Sequence, residues 1–370
     1  MKIGILTSSR ADFGVYFPLV QKLWDETLFQ VDIIAFGTHL KREYGYTINE
    51  IENYGFNVAH RLETPIENTA SKDISFNIGQ TTMLFAELWA NNKFDLVFAL
   101  GDRYEMFAAV SAASPFNIDI AHIHAGETTL GAIDNSYRHS ISLMSKYLFV
   151  STNEYKNRAI EIIQRPHDVF NVGALSVDNL SKQLLFTIEE FKNKFDIDLA
   201  IPTILSTFHP ETVSYENNEH YISELIESFR ELQNDYQIII TMPNSDTMGN
   251  MIREKLVNAF SNSKRVKLVE SFGMLGYLSC MKHCAFMLGN TSSGFVEAAF
   301  FPKWVINLGD RQRGRIITSN IISIEIEKKK ILSTVGELSD YQIIDDCNIY
   351  GKGNAADNII SKIKVLYDLK

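Results

Sequence analysis

Two apolar runs between Phe94 and Ser140 each end in side chains that can move protons or bind anions: Asp102 and Arg103 after the first, His124 and Glu127 after the next. Carboxylates and imidazoles held near one another do general acid/base work, and a guanidinium beside them suits an anionic substrate. Leu96-Val97-Phe98-Ala99-Leu100 stops abruptly at Gly101-Asp102-Arg103, as a buried parallel strand does at its carboxyl end. Met106 to Ala113 is small and apolar, which suits a helix packed on a sheet. Ile118 to Ile123 then returns as a strand and ends in His124-Ala125-Gly126-Glu127. Ligands of open α/β sheets bind at that carboxyl edge. A salt-bridged loop pair is the competing reading, and residue types alone leave both open.

The second half carries the complementary chemistry. Gly289-Asn290-Thr291-Ser292-Ser293-Gly294 follows a short apolar strand and is expected to open a helix through Glu297 and Ala299, offering amide donors, hydroxyls and a helix dipole to an anion. Arg311, Arg313 and Arg315 lie within five residues and have the reach and fork geometry for a diphosphate, against the simpler reading of a solvated basic turn. With Arg10 and Arg103 they place arginines at strand-end loops in both halves, which implies a dianionic ligand in a cleft between two domains. Asp102, Glu127 and Asp134 would repel a diphosphate, so they belong with its non-phosphate part. Departure of a nucleotide from a sugar wants this division, because C1 becomes cationic. A cationic C1 also acidifies the C2 proton for a carboxylate or imidazole to remove. Elimination then needs neither metal nor redox cofactor, and none is expected.

The elements that must position these groups alternate. Ile3 to Thr7 is a strand followed by the loop Ser8-Ser9-Arg10-Ala11-Asp12-Phe13-Gly14 and a helix; Gln30 to Phe36 is a strand ending in Gly37-Thr38-His39, where His39 reads as a site residue or a turn histidine. Strands continue at Asn57 to Arg61, Tyr147 to Ser151 and Val169 to Val172, with helices at Tyr44 to Tyr54, Ser75 to Asn91, His139 to Ser145 and Asn153 to Gln164. Leu175 to Phe195 reads as one helix leading to a linker at Asp196 to Pro202. The alternation then restarts, through strands ending in Phe208-His209-Pro210-Glu211 and Met242-Pro243-Asn244, to a last core strand at Trp304 to Asn307. This predicts α/β architecture with two Rossmann-like domains facing across a cleft: residues 1–174 with a closing helix from 354–370, and residues 175–353.

Composition bounds the answer. The chain has 370 residues, 45% hydrophobic and 22% charged, ordinary for a water-soluble protein with two cores. A net charge of −10 argues against general nucleic-acid binding. Three cysteines, Cys280, Cys284 and Cys347, form neither a disulfide framework nor a zinc pattern. No apolar run reaches membrane-spanning length and the amino terminus is too short for a signal peptide, so a cytoplasmic protein with no membrane partner is expected. The aromatic helix around Phe76, Phe85 and Trp89 is either core or an oligomer face.

In order, SSRADFG, FGTHL, LGDRYE, HIHAGE, AIDNSYRHS, FHPET, PNSD, GNTSSGFVE and INLGDRQRGR resemble the hydrolysing UDP-N-acetylglucosamine 2-epimerases over roughly residues 1 to 365. The pattern is most like the bacterial sialic-acid-pathway branch and is similar to the epimerase half of the human bifunctional enzyme. The resemblance implies a GT-B-like fold and a UDP-sugar substrate. It further implies elimination of UDP to a 2-acetamidoglucal and water addition to give N-acetylmannosamine, by a homodimer or homotetramer. Asp102, His124, Glu127, Asp134, Arg138 and His39 match its catalytic segments. Arg10, Ala11, Arg103, His209, Asn244, Asp246, Thr291, Ser292, Glu297 and Arg311 match its UDP-binding positions, with Glu297 accepting from the ribose hydroxyls. Many relatives have Glu where this chain has His124, so either His124 or Glu127 is the acid/base group. Related readings are the same reaction on UDP-N,N'-diacetylbacillosamine for legionaminic acid, a GT-B glycosyltransferase, and a catalytically silent UDP-sugar binder.

Overall fold

The computed structural model describes residues 1–66, 70–182, 184–213, 215–243, 248–344 and 348–369. The chain forms two compact units: Met1–Glu127, Asp134–Lys182 and Tyr350–Lys370 make unit 1, and Thr128–Ile133 with Gln183–Ile349 make unit 2.

Unit 1 is built on strands β1 (Lys2–Thr7), β2 (Gln30–Ala35), β3 (Val58–Arg61), β4 (Leu96–Leu100), β5 (Ile120–Ile123), β6 (Tyr147–Val150) and β7 (Val169–Asn171). All pair in parallel, in the order β3-β2-β1-β4-β5-β6-β7. Both faces of this sheet are covered, which is why its strands read as apolar runs. In β4, Leu96, Phe98 and Leu100 join the core that holds Ile3, Ile5, Leu19 and Leu23, whereas Val97 and Ala99 join the opposite one with Phe85, Trp89 and Met106. Phe85 and Trp89 of the helix Ser71–Asn91 are thus core, while Phe76 on the same helix is 61% exposed.

The helix Ala355–Leu366 returns to unit 1 and buries Ala355, Ala356, Ile359 and Ile363 in the first of those cores. Where one helix is expected from Leu175 to Phe195, there are two, Leu175–Lys182 and Ile188–Phe195. The second starts at a capping box in which Thr187 and Glu190 satisfy each other's backbone amides. The division between the units falls in that break.

Unit 2 contains β8 (Thr203–Thr207), β9 (Gln237–Thr241), β10 (Val266–Val269), β11 (Phe286–Gly289), β12 (Val305–Leu308) and β13 (Ile321–Ile324), all parallel, in the order β10-β9-β8-β11-β12-β13. The last of these is an edge strand that lies beyond Trp304 to Asn307, the last core strand expected from the sequence. Ile321–Ile324 is a four-residue edge strand, only its first residue fully buried, running into the charged segment Glu325 to Lys330. So short and half-exposed a strand leaves no periodic signal. Cys280 and Cys284 are buried free thiols, whereas Cys347 lies outside the described residues.

Candidate active site

In unit 1 the strand order reverses direction between β1 and β4, and that switch point is where an open parallel sheet exposes loops to a ligand. From β1 the chain enters a loop ordered by its own hydrogen bonds. The Asp12 carboxylate accepts from the Ser8 amide at 2.7 Å, the Ser8 hydroxyl at 2.9 Å and the Ser9 hydroxyl. Ser9 caps the helix Arg10–Asp25, so Arg10 and Ala11 occupy its first turn. His39, after β2, has no exposed surface; its Nε2 lies 2.9 Å from the Thr7 hydroxyl and its Nδ1 2.9 Å from that of Thr47. Burial lowers its pKa to about 4. This histidine supports the loop with both ring nitrogens and presents neither to solvent.

Asp102 follows the β4 end. His122, one strand over and facing inward, holds the turn before it: Nε2 is 2.7 Å from the Gly101 carbonyl oxygen and Nδ1 is 2.9 Å from the Ser142 hydroxyl. A carbonyl can only accept, so Nε2 carries the proton and Nδ1 accepts from Ser142. Complete burial lowers His122 to about 3, which keeps this tautomer uncharged. Neither His122 nor Ser142 was marked by the sequence reading; the strand alternation that points His122 inward was the available signal.

Arg138 lies on the helix Asp134–Met144, which begins five residues earlier than the helix expected from His139 and therefore contains Asp134 in its first turn. The Arg138 side chain is 3% exposed. Its Nη2 donates to Asp102, its Nη1 donates to the His124 carbonyl oxygen at 2.8 Å, and Nη1 also lies 3.7 Å from a Glu127 carboxylate oxygen. His124 Nδ1 lies 3.1 Å from the other Glu127 oxygen. Asp102, His124, Glu127 and Arg138 are therefore one connected group. Asp134 shares the Arg138 face of the helix by its four-residue spacing.

Two backbone features hold that group. His124 adopts a φ of +65°, a left-handed conformation that costs a non-glycine residue on the order of 1 kcal/mol. Gly126 has a φ of +73°, and a Cβ there would lie 2.1 Å from the Tyr155 carbonyl oxygen, so only glycine lets Glu127 turn inward. His124 Nε2 is buried without a hydrogen-bond partner among the described residues. Arg103, in contrast, donates to the buried Glu105 from Nε at 3.2 Å and from Nη2 at 2.9 Å. The guanidinium for which the sequence suggests a phosphate contact is thus paired with a neighbouring carboxylate.

Unit 2 has its own switch point, between β8 and β11. His209 follows β8; Thr291 and Ser292 follow β11; Arg311 follows β12. The continuous helix expected after the glycine-led motif is absent: Ser292–Gly294 is a 3₁₀ turn and Glu297–Phe300 a separate four-residue helix with Glu297 at its start. A strong helix dipole is therefore not available to an anion here, and the hydroxyls matter more. The Ser293 hydroxyl lies 2.6 Å from the Tyr277 hydroxyl and 3.2 Å from that of Thr291. Burial raises the Tyr277 pKa, so it remains a neutral donor.

Arg311 Nε donates to the Pro210 carbonyl oxygen at 3.2 Å. Arg315 is buried, its Nε donating to Gln312 at 2.6 Å, so the three arginines of this loop do not act as one basic fork. The segment Thr128–Ile133 lies on the same loops of unit 2, with the Leu130 amide donating to the Arg313 carbonyl at 2.9 Å and the Thr212 amide to the Gly131 carbonyl at 3.2 Å. Asn244 and Asp246 lie outside the described residues. No helix among the described residues is long and apolar enough to cross a membrane.

Comparison with known proteins places these features. The chain is 34% identical to the polysialic acid biosynthesis protein P7 of Escherichia coli, over 98% of this chain and 93% of that protein. It is 35% identical to the GDP/UDP-N,N'-diacetylbacillosamine 2-epimerase (hydrolyzing) of Campylobacter jejuni, over 88% and 84% respectively. Among solved structures, the Methanocaldococcus jannaschii UDP-GlcNAc 2-epimerase in complex with UDP-GlcNAc and UDP matches with a TM-score of 0.82 at 20% identity, covering 99% of this chain and all of that one. The fold is thus GT-B-like, two Rossmann-like α/β units. A family model described as UDP-N-acetylglucosamine 2-epimerase matches residues 21–364, and the chain belongs to that family.

Proposed function

We propose that the protein is a hydrolysing 2-epimerase that converts UDP-N-acetylglucosamine to N-acetylmannosamine and UDP, for sialic acid synthesis. The observation that carries this reading is the connected group Asp102, Arg138, Glu127 and His124 at the carboxyl edge of the unit 1 sheet. Glu127, anchored beside Arg138, orients the His124 ring through Nδ1 and leaves Nε2 to take the C2 proton. As the bond to the diphosphate breaks, C1 becomes cationic and Asp102 supplies the opposing charge. Loss of the C2 proton gives the 2-acetamidoglucal. Water then adds across that double bond, its proton passing to Asp102 and its oxygen to C1, while a solvent proton is delivered to C2 on the face opposite His124; Asp102 and His124 then return their protons to solvent.

Arg10, Thr291, Ser292, Glu297, Arg311 and His209 are proposed to bind the nucleotide. Asn244, Asp246 and Ala11 belong to the same proposal on their match to the family's motifs; Arg103 joins it on the same match, exchanging its Glu105 pairing for phosphate when the nucleotide binds. The same reaction on UDP-N,N'-diacetylbacillosamine is the second reading, supported by the 35% identity to the Campylobacter enzyme, which is level with the 34% to the Escherichia coli protein. Incubation with each UDP-sugar in deuterated water, followed by NMR, tests both. Free UDP and a free 2-epimer carrying deuterium at C2 are expected. Product that keeps its UDP, or UDP release only when a sugar acceptor is added, would overturn the proposal.

A further inference from the structure

We infer that Glu211, Asn290 and Gln312 are positioning residues that fix His209 and Arg311 in place before a nucleoside diphosphate binds to unit 2; the inference rests on the UDP-binding reading above. All three side chains are buried, with Asn290 at 0%, Gln312 at 1% and Glu211 at 3% exposure. Each joins loops far apart in sequence. The Asn290 side chain accepts from the His209 amide at 2.7 Å and donates to the His209 carbonyl at 2.8 Å, so it clamps both backbone groups of that residue. Gln312 Nε2 donates to the Asn290 carbonyl at 2.8 Å, and Gln312 Oε1 accepts from Arg315. A single polar relay thus runs from Arg315 through Gln312 and Asn290 to His209.

Glu211 fixes the other end of the same loop. Its carboxylate accepts from the Asp310 amide at 2.7 Å, and its backbone is held by Asn218, whose side chain accepts from the Glu211 amide at 2.8 Å and donates to the Glu211 carbonyl at 2.7 Å. Gly309 makes the approach possible: at a φ of +69°, a Cβ there would lie 2.4 Å from the carboxylate oxygen. The ends of β8, β11 and β12 are therefore laced together through groups that take no direct part in the binding proposed above. Buried polar groups cost free energy unless fully paired, and here the pairing sets loop geometry rather than filling core. Presetting the loops removes ordering cost from binding, so damage to the relay appears as lost affinity.

Calorimetric titration with UDP and steady-state kinetics on UDP-N-acetylglucosamine test this. Gln312→Glu keeps an acceptor for Arg315 but turns an oxygen on the Asn290 carbonyl. It should raise the UDP Kd and the KM together by about tenfold, with kcat within about threefold. Glu211→Gln, which keeps one acceptor for the Asp310 amide, should raise both by about threefold and serves if the first variant fails to fold. A folded variant with unchanged UDP Kd, or one losing kcat with Kd intact, overturns the inference. Wild-type protein that does not bind UDP would instead refute the functional reading.

Discussion

Nη1 of Arg138 lies 2.8 Å from the carbonyl oxygen of His124, while Nη2 of the same guanidinium holds Asp102. One planar cation therefore sets both the strained backbone of the histidine and the neighbouring carboxylate. A lysine cannot reproduce this, because its single ammonium has no fixed fork. Arg138→Lys should lower kcat by about 100-fold and stability by roughly 2 kcal/mol, less than for a fully buried pair because Asp102 is 23% exposed. Steady-state kinetics and urea denaturation measure both, and retention of more than about a tenth of kcat would remove Arg138 from its assigned role.

His124 combines a left-handed backbone with a buried Nε2 that has no described partner. Asparagine tolerates that backbone better than most residues but offers no basic nitrogen. His124→Asn should therefore melt within about 3 °C of the parent while deuterium incorporation at C2 falls by 100-fold or more. A variant that still exchanges the C2 proton at the parental rate would shift the proton transfer to another group, with Glu127 the nearest.

Much of this was legible in the chain itself. Apolar runs bounded by polar turns marked β4 and β5, and with them the positions of Asp102 and His124, because a strand buried on both faces has to announce its end. What escaped was the partnering. That Arg103 spends its fork on Glu105, two residues away, and Arg315 on Gln312, follows from side-chain directions that spacing does not encode. The continuous helix expected after Gly294 is divided into a 3₁₀ turn and the short helix Glu297–Phe300, and a Cβ at Gly294 would lie 2.9 Å from a Val305 methyl, a close approach that spacing likewise does not encode.

Two buried histidines make unit 1 sensitive to acid. His122 is lowered to about 3 and His39 to about 4 by burial, whereas both titrate near 6.5 when unfolded. Between those values only the unfolded chain takes up the proton, so stability is fully present above about pH 6.5 and is lost as pH falls towards the folded values. Each histidine should withdraw roughly 2 kcal/mol between pH 7.5 and pH 5. Denaturation of the parent and of His122→Asn at both pH values checks this; the variant should be weaker throughout but lose about one proton's worth of slope. Equal slopes in the two proteins would contradict the assignment.

Asp178 ties the helix Ala355–Leu366 into unit 1 across 177 residues of sequence. Its two carboxylate oxygens accept from the amides of Ala355 and Ala356, each at 2.8 Å, at the first turn of Ala355–Leu366, where residue Asn354 makes no side-chain cap. An anion at that position satisfies two orphan donors and meets the positive end of the helix dipole. Asp178→Ala should cost about 1–2 kcal/mol, and Asp178→Asn about half of that, since one acceptor survives. Because Ile359 and Ile363 depend on the same helix for their place in the core, loosening its start should also expose Lys364 to trypsin. Cleavage at Lys364 no faster in Asp178→Ala than in the parent would show that apolar packing alone holds the helix down.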